Sequence, residues 1–197
     1  MQVSKLTKLQ NLYCGGNCLG RVLESDTNPA PEPLPSLPYT LKQLICDRNS
    51  LFTVPRSIVS TILVNLEKLD LSDNDLAAIP QEISNLKALN ELILNRNLIV
   101  SLPESIGQLT KLKSLSLKSN KISVRNTTFT SSNPQPLPAS LFTQTPLIDL
   151  NLHGNPMTST QLNQFEGFPT FLERREKVKT KDLYGGAMTS FDVCGLE

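Results

Sequence analysis

One spacing of apolar positions recurs along the chain. Aligned on L-x-x-L-x-L-x-x-N-x-L, the first three copies are Leu9, Leu12, Cys14, Asn17, Leu19; then Leu41, Leu44, Cys46, Asn49, Leu51; then Leu66, Leu69, Leu71, Asn74, Leu76. The next three are Leu89, Leu92, Leu94, Asn97, Ile99; then Leu112, Leu115, Leu117, Asn120, Ile122; then Leu147, Leu150, Leu152, Asn155, Met157. The middle of each copy alternates with period two, which predicts a short strand with one buried face. The Asn in every copy predicts a buried amide that satisfies backbone groups no strand partner reaches. Asn17, Asn49, Asn74, Asn97, Asn120 and Asn155 are therefore expected to be structural. Asn-to-Asn spacing is 23 residues between the third, fourth and fifth copies. A fixed period of this length predicts coils stacked one on another, with their strands in one parallel sheet.

Between the strands, Val54-Pro55, Ile79-Pro80 and Leu102-Pro103 open runs such as PQEISNLKAL and PESIGQLTKL. Ile83, Leu86 and Leu89, and likewise Ile106, Leu109 and Leu112, are spaced for a short helix or 3₁₀ turn. Proline suits its start, where the first N–H groups have no intrahelical partner.

Over roughly residues 6 to 157 the pattern resembles the leucine-rich-repeat family. The resemblance implies an α/β fold: a leucine-rich-repeat solenoid with a curved parallel sheet on the concave face and short helical or extended segments on the convex face. The L-P-x-x-I/L-x-x-L half-repeat resembles that of plant intracellular and Ras-pathway scaffold members. Leu34-Pro35-Ser36-Leu37-Pro38 departs from it. Leu41 follows Pro35 by six positions, where Leu89 follows Pro80 by nine. This segment has no room for a helical turn and is expected to be extended, resembling the shorter repeats of secreted bacterial effectors.

Two copies are interrupted at one point. The step from Leu76 to Ile79, like that from Ile99 to Leu102, is three residues, whereas Leu19 to Leu34 and Ile122 to Leu137 are fifteen. Each therefore carries twelve extra residues just past the strand turn. The expected organisation is six repeats over 1–157, with inserted loops near 22–33 and 123–136, then a helical cap over 158–182 and a tail over 183–197 without repeat pattern, expected to be disordered. The cap is needed because a terminal coil would otherwise expose its leucines, and Phe165, Phe168, Phe171 and Leu172 are spaced to cover it. Asn155-Pro156, Phe165-Glu166-Gly167-Phe168, Phe171 and Glu173-Arg174-Arg175 resemble the ending of plant proteins that join leucine-rich repeats to a ubiquitin-like domain, and of short animal leucine-rich-repeat proteins. At the other end Leu6, Leu9 and Leu12 already belong to a repeat, so the first coil is expected to be open and prone to self-association.

Composition narrows the function. Lys and Arg number 19 against 18 Asp and Glu, a net charge of +1, so no global field draws the chain to nucleic acid. No apolar run approaches the roughly 20 residues needed to span a bilayer, and MQVSKLTKLQNL has no signal-peptide core. A cytoplasmic location is expected. Cys14 and Cys46 fall at inward repeat positions and are expected to be free, small apolar residues. The spacing of Cys14, Cys18, Cys46 and Cys194 fits no zinc pattern. Arg174, Arg175, Lys177, Lys179 and Lys181 read as a solvated helix end. The Asn126 sequon is expected to be unused.

The chain is expected not to be an enzyme and to need no cofactor or metal. His153 is the sole histidine. Asp149 could orient it, yet no strained nucleophile turn accompanies the pair. Asp47, Asp70 and Asp73 lie near one another on the expected concave face but lack the dense oxygen set of a calcium site. That face displays three rows: Tyr13, Ile45, Asp70, Ile93, Ser116, Asn151; Gly15, Asp47, Ser72, Asn95, Lys118, His153; and Gly16, Arg48, Asp73, Arg96, Ser119, Gly154. Apolar Ile45 and Ile93 in a polar surround, with Tyr13, Arg48 and Arg96, suggest a protein partner. The expected contact set is Tyr13, Ile45, Asp47, Arg48, Asp70, Ile93, Asn95, Arg96, Lys118 and His153. The function expected is a scaffold or adaptor binding a protein through the concave face. The alternatives are a repeat fragment packed in a larger assembly, or a ubiquitin-linked adaptor on resemblance alone.

Overall fold

The structure, a computed structural model, describes residues 3–20, 34–124, 134–182 and 194–196. The expected insert at 22–33, most of that at 123–136, and residues 183–193 of the tail lie outside the described residues. Six short strands form one parallel sheet in chain order: β1 Asn11–Tyr13, β2 Gln43–Ile45, β3 Lys68–Asp70, β4 Glu91–Ile93, β5 Ser114–Ser116 and β6 Asp149–Asn151. Their register puts Leu12, Leu44, Leu69, Leu92, Leu115 and Leu150 in one inward line. Sheet-like bonding continues past each strand, as in Leu71 N–H to Ile93 O (2.9 Å) and Asp73 N–H to Asn95 O (2.8 Å). The leucines, with Cys46, form a continuous buried core.

The convex side follows the proline signals. Gln81–Asn85 and Glu104–Gln108 are 3₁₀ turns, each capped by its proline in an extended conformation. Ile83 and Ile106 point inward and are buried. In the coil with the second insert the corresponding segment is α1, Ala139–Thr143, headed by Pro138. Hydroxyls stitch neighbouring coils: Ser105 donates to Gln81 O (2.8 Å) and Ser140 to Glu104 O (2.9 Å). No helix forms over Leu34–Pro38.

The asparagines tie each coil to its predecessor. Asn97 Oδ1 accepts from Leu76 N–H (3.0 Å), while Nδ2 donates to Leu71 O (2.9 Å) and Leu94 O (3.1 Å). Asn74 does the same with Leu51, Cys46 and Leu71, Asn120 with Ile99, Leu94 and Leu117, and Asn155 with Ile122, Leu117 and Leu152. Asn49 accepts from both Asn17 N–H and Leu19 N–H. Asn17 is exposed and donates to Gly15 O within its own coil. To aim these amides inward, the preceding residue is left-handed in every coil: Gly16 (φ 70°), Arg48 (51°), Asp73 (54°), Arg96 (51°), Ser119 (55°) and Gly154 (73°). Only the two glycines adopt this region without a steric cost.

The last coil is closed by α2, Ser159–Leu162, and α3, Phe168–Asp182. Thr158 and Gln161 form a reciprocal capping box at the start of α2. Phe165, Phe168 and Phe171 are buried. Phe168 meets Phe142 of α1 edge-on at 5.5 Å and stacks on Phe171 at 5.6 Å. Arg174 differs from its reading as part of a solvated basic run. Its guanidinium donates to Leu147 O and Phe142 O, both at 2.9 Å, and so fastens α3 to the coil beneath.

Two further findings depart from expectation. Cys14 and Cys46, expected as free thiols, are disulfide-bonded between the first two coils, with Cα atoms 4.9 Å apart. Equivalent inward positions on adjacent parallel strands necessarily face one another, so the repeat itself makes the pair. Within the expected tail, Cys194–Leu196 lies against β6, with Leu152 N–H donating to Cys194 O (2.7 Å) and Cys194 buried.

Candidate protein-binding face

The strand register brings Tyr13, Ile45, Asp70, Ile93, Ser116 and Asn151 into one row on the concave face. Tyr13 is 69% exposed, and Ile45 and Ile93 are half-buried between their neighbours. Strand spacing of about 4.8 Å sets Tyr13, Ile45 and Ile93 within roughly 15 Å of one another along the row. Asp70 interrupts the apolar row. Its carboxylate is turned to its own strand end, where Oδ1 accepts from Ser72 N–H (2.9 Å) and Ser72 Oγ (2.6 Å).

The charged residues of the other rows are largely neutralised within the face. Arg96 donates through Nε and Nη2 to both carboxylate oxygens of Asp73, the Nη2 bond being 2.7 Å. This bidentate pair holds the Asp73 carboxyl below its ordinary value of 3.8, chiefly by the hydrogen bond from Arg96 and against the effect of burial. The same bond raises Arg96 further. Arg48 pairs with Asp47 at 2.7 Å. Asn95 Oδ1 accepts from Ser116 Oγ (2.7 Å) and Lys118 N–H (2.9 Å), so Asn95 and Lys118 sit together across β4 and β5. His153 is exposed at the far side of the same face, its Nδ1 3.1 Å from Gly195 O.

All ten residues expected to contact a partner thus lie on one face, though Arg48, Arg96, Asp47 and Asp73 meet each other before they meet anything else. Asp47, Asp70 and Asp73 each have a separate partner. Among the described residues, no three His, Cys, Asp or Glu side chains converge as metal ligands would.

The sequence reading missed a fourth row. The first residue of each strand also faces outward, giving Asn11, Gln43, Lys68, Glu91, Ser114 and Asp149. Lys68 pairs with Glu91 (2.8 Å) and Ser114 donates to Asp149 (2.8 Å). Period-two alternation on both sides of the central Leu was the signal that would have found it. A second omission lies on the flank of the solenoid, just past the asparagines. Phe52 is 60% and Val100 54% exposed at equivalent positions, with Leu98 beside Val100. The pattern stops at its last Leu or Ile, so the next position went unread.

The family model for leucine-rich repeats matches residues 40–99 and again 64–122. Solved structures similar to this chain include a leucine-rich-repeat protein of Leptospira interrogans, 28% identical, covering 68% of this chain and 38% of the other. An internalin of Listeria monocytogenes is 20% identical over 66% of this chain and 34% of its own. The crystal structure of PEPR1-AtPEP1 is 30% identical over 63% of this chain and 17% of its own. The TM-score is 0.48 in each case, and the chain spans well under half the length of all three. Among curated proteins no sequence matches significantly. Residues 40–122 match the leucine-rich-repeat family, and the six stacked coils to which they belong have the fold of a leucine-rich-repeat solenoid.

Proposed function

We propose that the chain is a non-catalytic scaffold or adaptor that binds a partner protein on its concave face. The observation that carries this reading is the in-register row of Tyr13, Ile45 and Ile93, flanked by rows whose charges pair among themselves. Such a face presents an apolar centre with a satisfied polar rim, the usual anatomy of a protein contact. A partner side chain seated across Ile45 and Ile93 would also cover Asp70, whose carboxylate is held by Ser72 N–H and Ser72 Oγ and is open to a polar or basic group on the partner. The contact residues are Tyr13, Ile45, Asp47, Arg48, Asp70, Ile93, Asn95, Arg96, Lys118 and His153. In an affinity capture from the native source, Ile93→Asp and Arg96→Glu should each lose the captured partner while keeping the wild-type circular dichroism. Retention by both variants would refute the assignment.

A second reading, packing within a larger assembly, is favoured by the exposed flank of Phe52, Leu98 and Val100. Its signature would be partner loss on Val100→Asp instead.

The half-repeat form supports a cytoplasmic adaptor in a signalling pathway, and the resemblance of the ending supports a ubiquitin-linked one. Among the described residues, no helix is long and apolar enough to cross a membrane. The Cys14–Cys46 bond pulls the other way, because disulfides persist in oxidising compartments. Its redox state in protein isolated under thiol-blocking conditions decides between the two settings.

A further inference from the structure

Asp70 is the one charged residue in the central row of the concave face, set between Ile45 and Ile93 by the strand register. Its position has a structural duty that needs no charge. Asp70 Oδ1 accepts from Ser72 N–H at 2.9 Å, and at the equivalent place in the sixth coil Asn151 Oδ1 accepts from His153 N–H at 3.1 Å. A neutral amide thus closes the same two-residue turn elsewhere in the chain, so the fold does not account for the negative charge at position 70. Nor is that charge neutralised by an ion pair within the face. Lys68 is paired with Glu91, Arg48 with Asp47, and Arg96 with both carboxylate oxygens of Asp73. Arg96 is raised chiefly by its hydrogen bond to Asp73, and Asp70 is the least of the influences on it. Within the Asp70 carboxylate, Oδ1 is filled by Ser72 N–H and Ser72 Oγ. Oδ2 has no donor among the described residues and is not sealed from solvent.

An open carboxylate oxygen with an isoleucine on either side suits a cation carried on an apolar stem. Long basic side chains lay their methylenes on apolar surface and keep the charged head at a polar group. Strand spacing of about 4.8 Å brings both isoleucines within reach of such a stem. The single open oxygen then chooses between the two basic residues. A guanidinium makes its strongest contact through parallel bonds to both oxygens of a carboxylate, and Oδ1 is already taken. An ammonium is a compact point charge that one oxygen can hold. Resting on the concave face as the contact surface, we propose that its centre is a lysine subsite: the ammonium of a partner protein's lysine meets Asp70 Oδ2, and its stem lies between Ile45 and Ile93.

Peptides selected from a random displayed library on the full chain, and then synthesised, supply the probes. Those whose binding is lost in Ile93→Asp bind the concave face. They should share a lysine whose replacement by norleucine, which keeps the stem and removes the charge, weakens binding about tenfold or more. Asp70→Asn retains the acceptor for Ser72, as Asn151 does for His153, so its circular dichroism and thermal transition should stay those of the wild type. It should weaken the lysine peptide by the same factor and leave the norleucine peptide unchanged, the signature of a direct pair. The norleucine replacement alters the peptide alone, so it reads the charge whatever Asp70→Asn does to the fold. Concave-face binders that share no lysine, that share an arginine instead, or that bind Asp70→Asn as tightly as the wild type would overturn the subsite and leave the face itself standing. Binders indifferent to Ile93→Asp, or a selection that yields none, would overturn both.

Discussion

Removing the amide of Asn97 should be among the most damaging small substitutions in the protein. Asn97 is 3% exposed, and its side chain joins four backbone groups: Leu76 N–H, Leu71 O, Leu94 O and Asn95 O, at 2.9 to 3.2 Å, of which Asn95 O keeps a second donor in Asp73 N–H. Two of these belong to the preceding coil, so the side chain serves as the cross-link between coils at a place where the chain turns and strands no longer pair. In Asn97→Ala one buried donor and two buried acceptors lose a partner. At about 1–3 kcal/mol for each stranded group, with some relief from entering water, the loss is roughly 3–6 kcal/mol. That is a large share of the roughly 5–15 kcal/mol by which a domain is stable. Asn17 is the internal control. It holds the same motif position but is exposed and bonds Gly15 O in its own coil, so Asn17→Ala should cost about 1 kcal/mol or less. Asn97→Asp keeps the acceptor for Leu76 and loses both donors, so it should behave like the alanine variant. Urea denaturation followed by circular dichroism measures all three. Asn97→Ala and Asn17→Ala within about 1 kcal/mol of each other would refute the argument that buried amide cross-links hold the coils together.

Three further outcomes follow from the geometry. Ser119 is left-handed at φ 55°, so Ser119→Gly should raise stability by about 0.5–1 kcal/mol in the same urea assay, the relieved strain exceeding glycine's entropy cost. Asp73 titrates below its ordinary value in the folded chain, so its contribution is present above pH 3.8 and is lost as pH falls through the depressed value. The difference in melting temperature between wild type and Arg96→Gln should therefore be largest near neutrality and shrink below pH 3.8; a difference that stays constant down to the acid limb would show that the pair is not its source. Non-reducing peptide mapping should recover Cys14 joined to Cys46, and reduction should first raise hydrogen exchange in the coil of Leu9, Leu12 and Leu19, which packs half-exposed on its neighbour.

The sheet, its parallel register and the line of buried leucines could be read directly from the spacing, because one repeated length with one repeated period admits a single stacking. The asparagines were legible for the same reason: a polar residue at a fixed inward place must serve the backbone. What escaped the sequence reading depends on contacts between segments far apart in the chain. Arg174 reaches the carbonyls of Leu147 and Phe142 through the way α3 lies on α1, which no local pattern encodes. The Cys14–Cys46 contact was in principle legible, since both occupy one motif position in adjacent coils; reading each as a small apolar residue overlooked that the two must touch. The left-handed turn before each Asn was half visible, with Gly16 and Gly154 marking it and Arg48, Asp73, Arg96 and Ser119 concealing it. On the face, the identity of the displayed residues could be read, but not that Arg48 and Arg96 were already engaged with Asp47 and Asp73.

The binding role proposed for the concave face is tested most directly by crosslinking from defined positions. A photoreactive phenylalanine analogue placed singly at Tyr13, Ile45 or Ile93, and for comparison at Phe52 or Val100, samples the concave row and the exposed flank with one chemistry. The concave positions should crosslink a common partner protein and the flank positions should not. Crosslinks confined to Phe52 and Val100, with none from the concave row, would contradict the account and place the contact on the side of the solenoid.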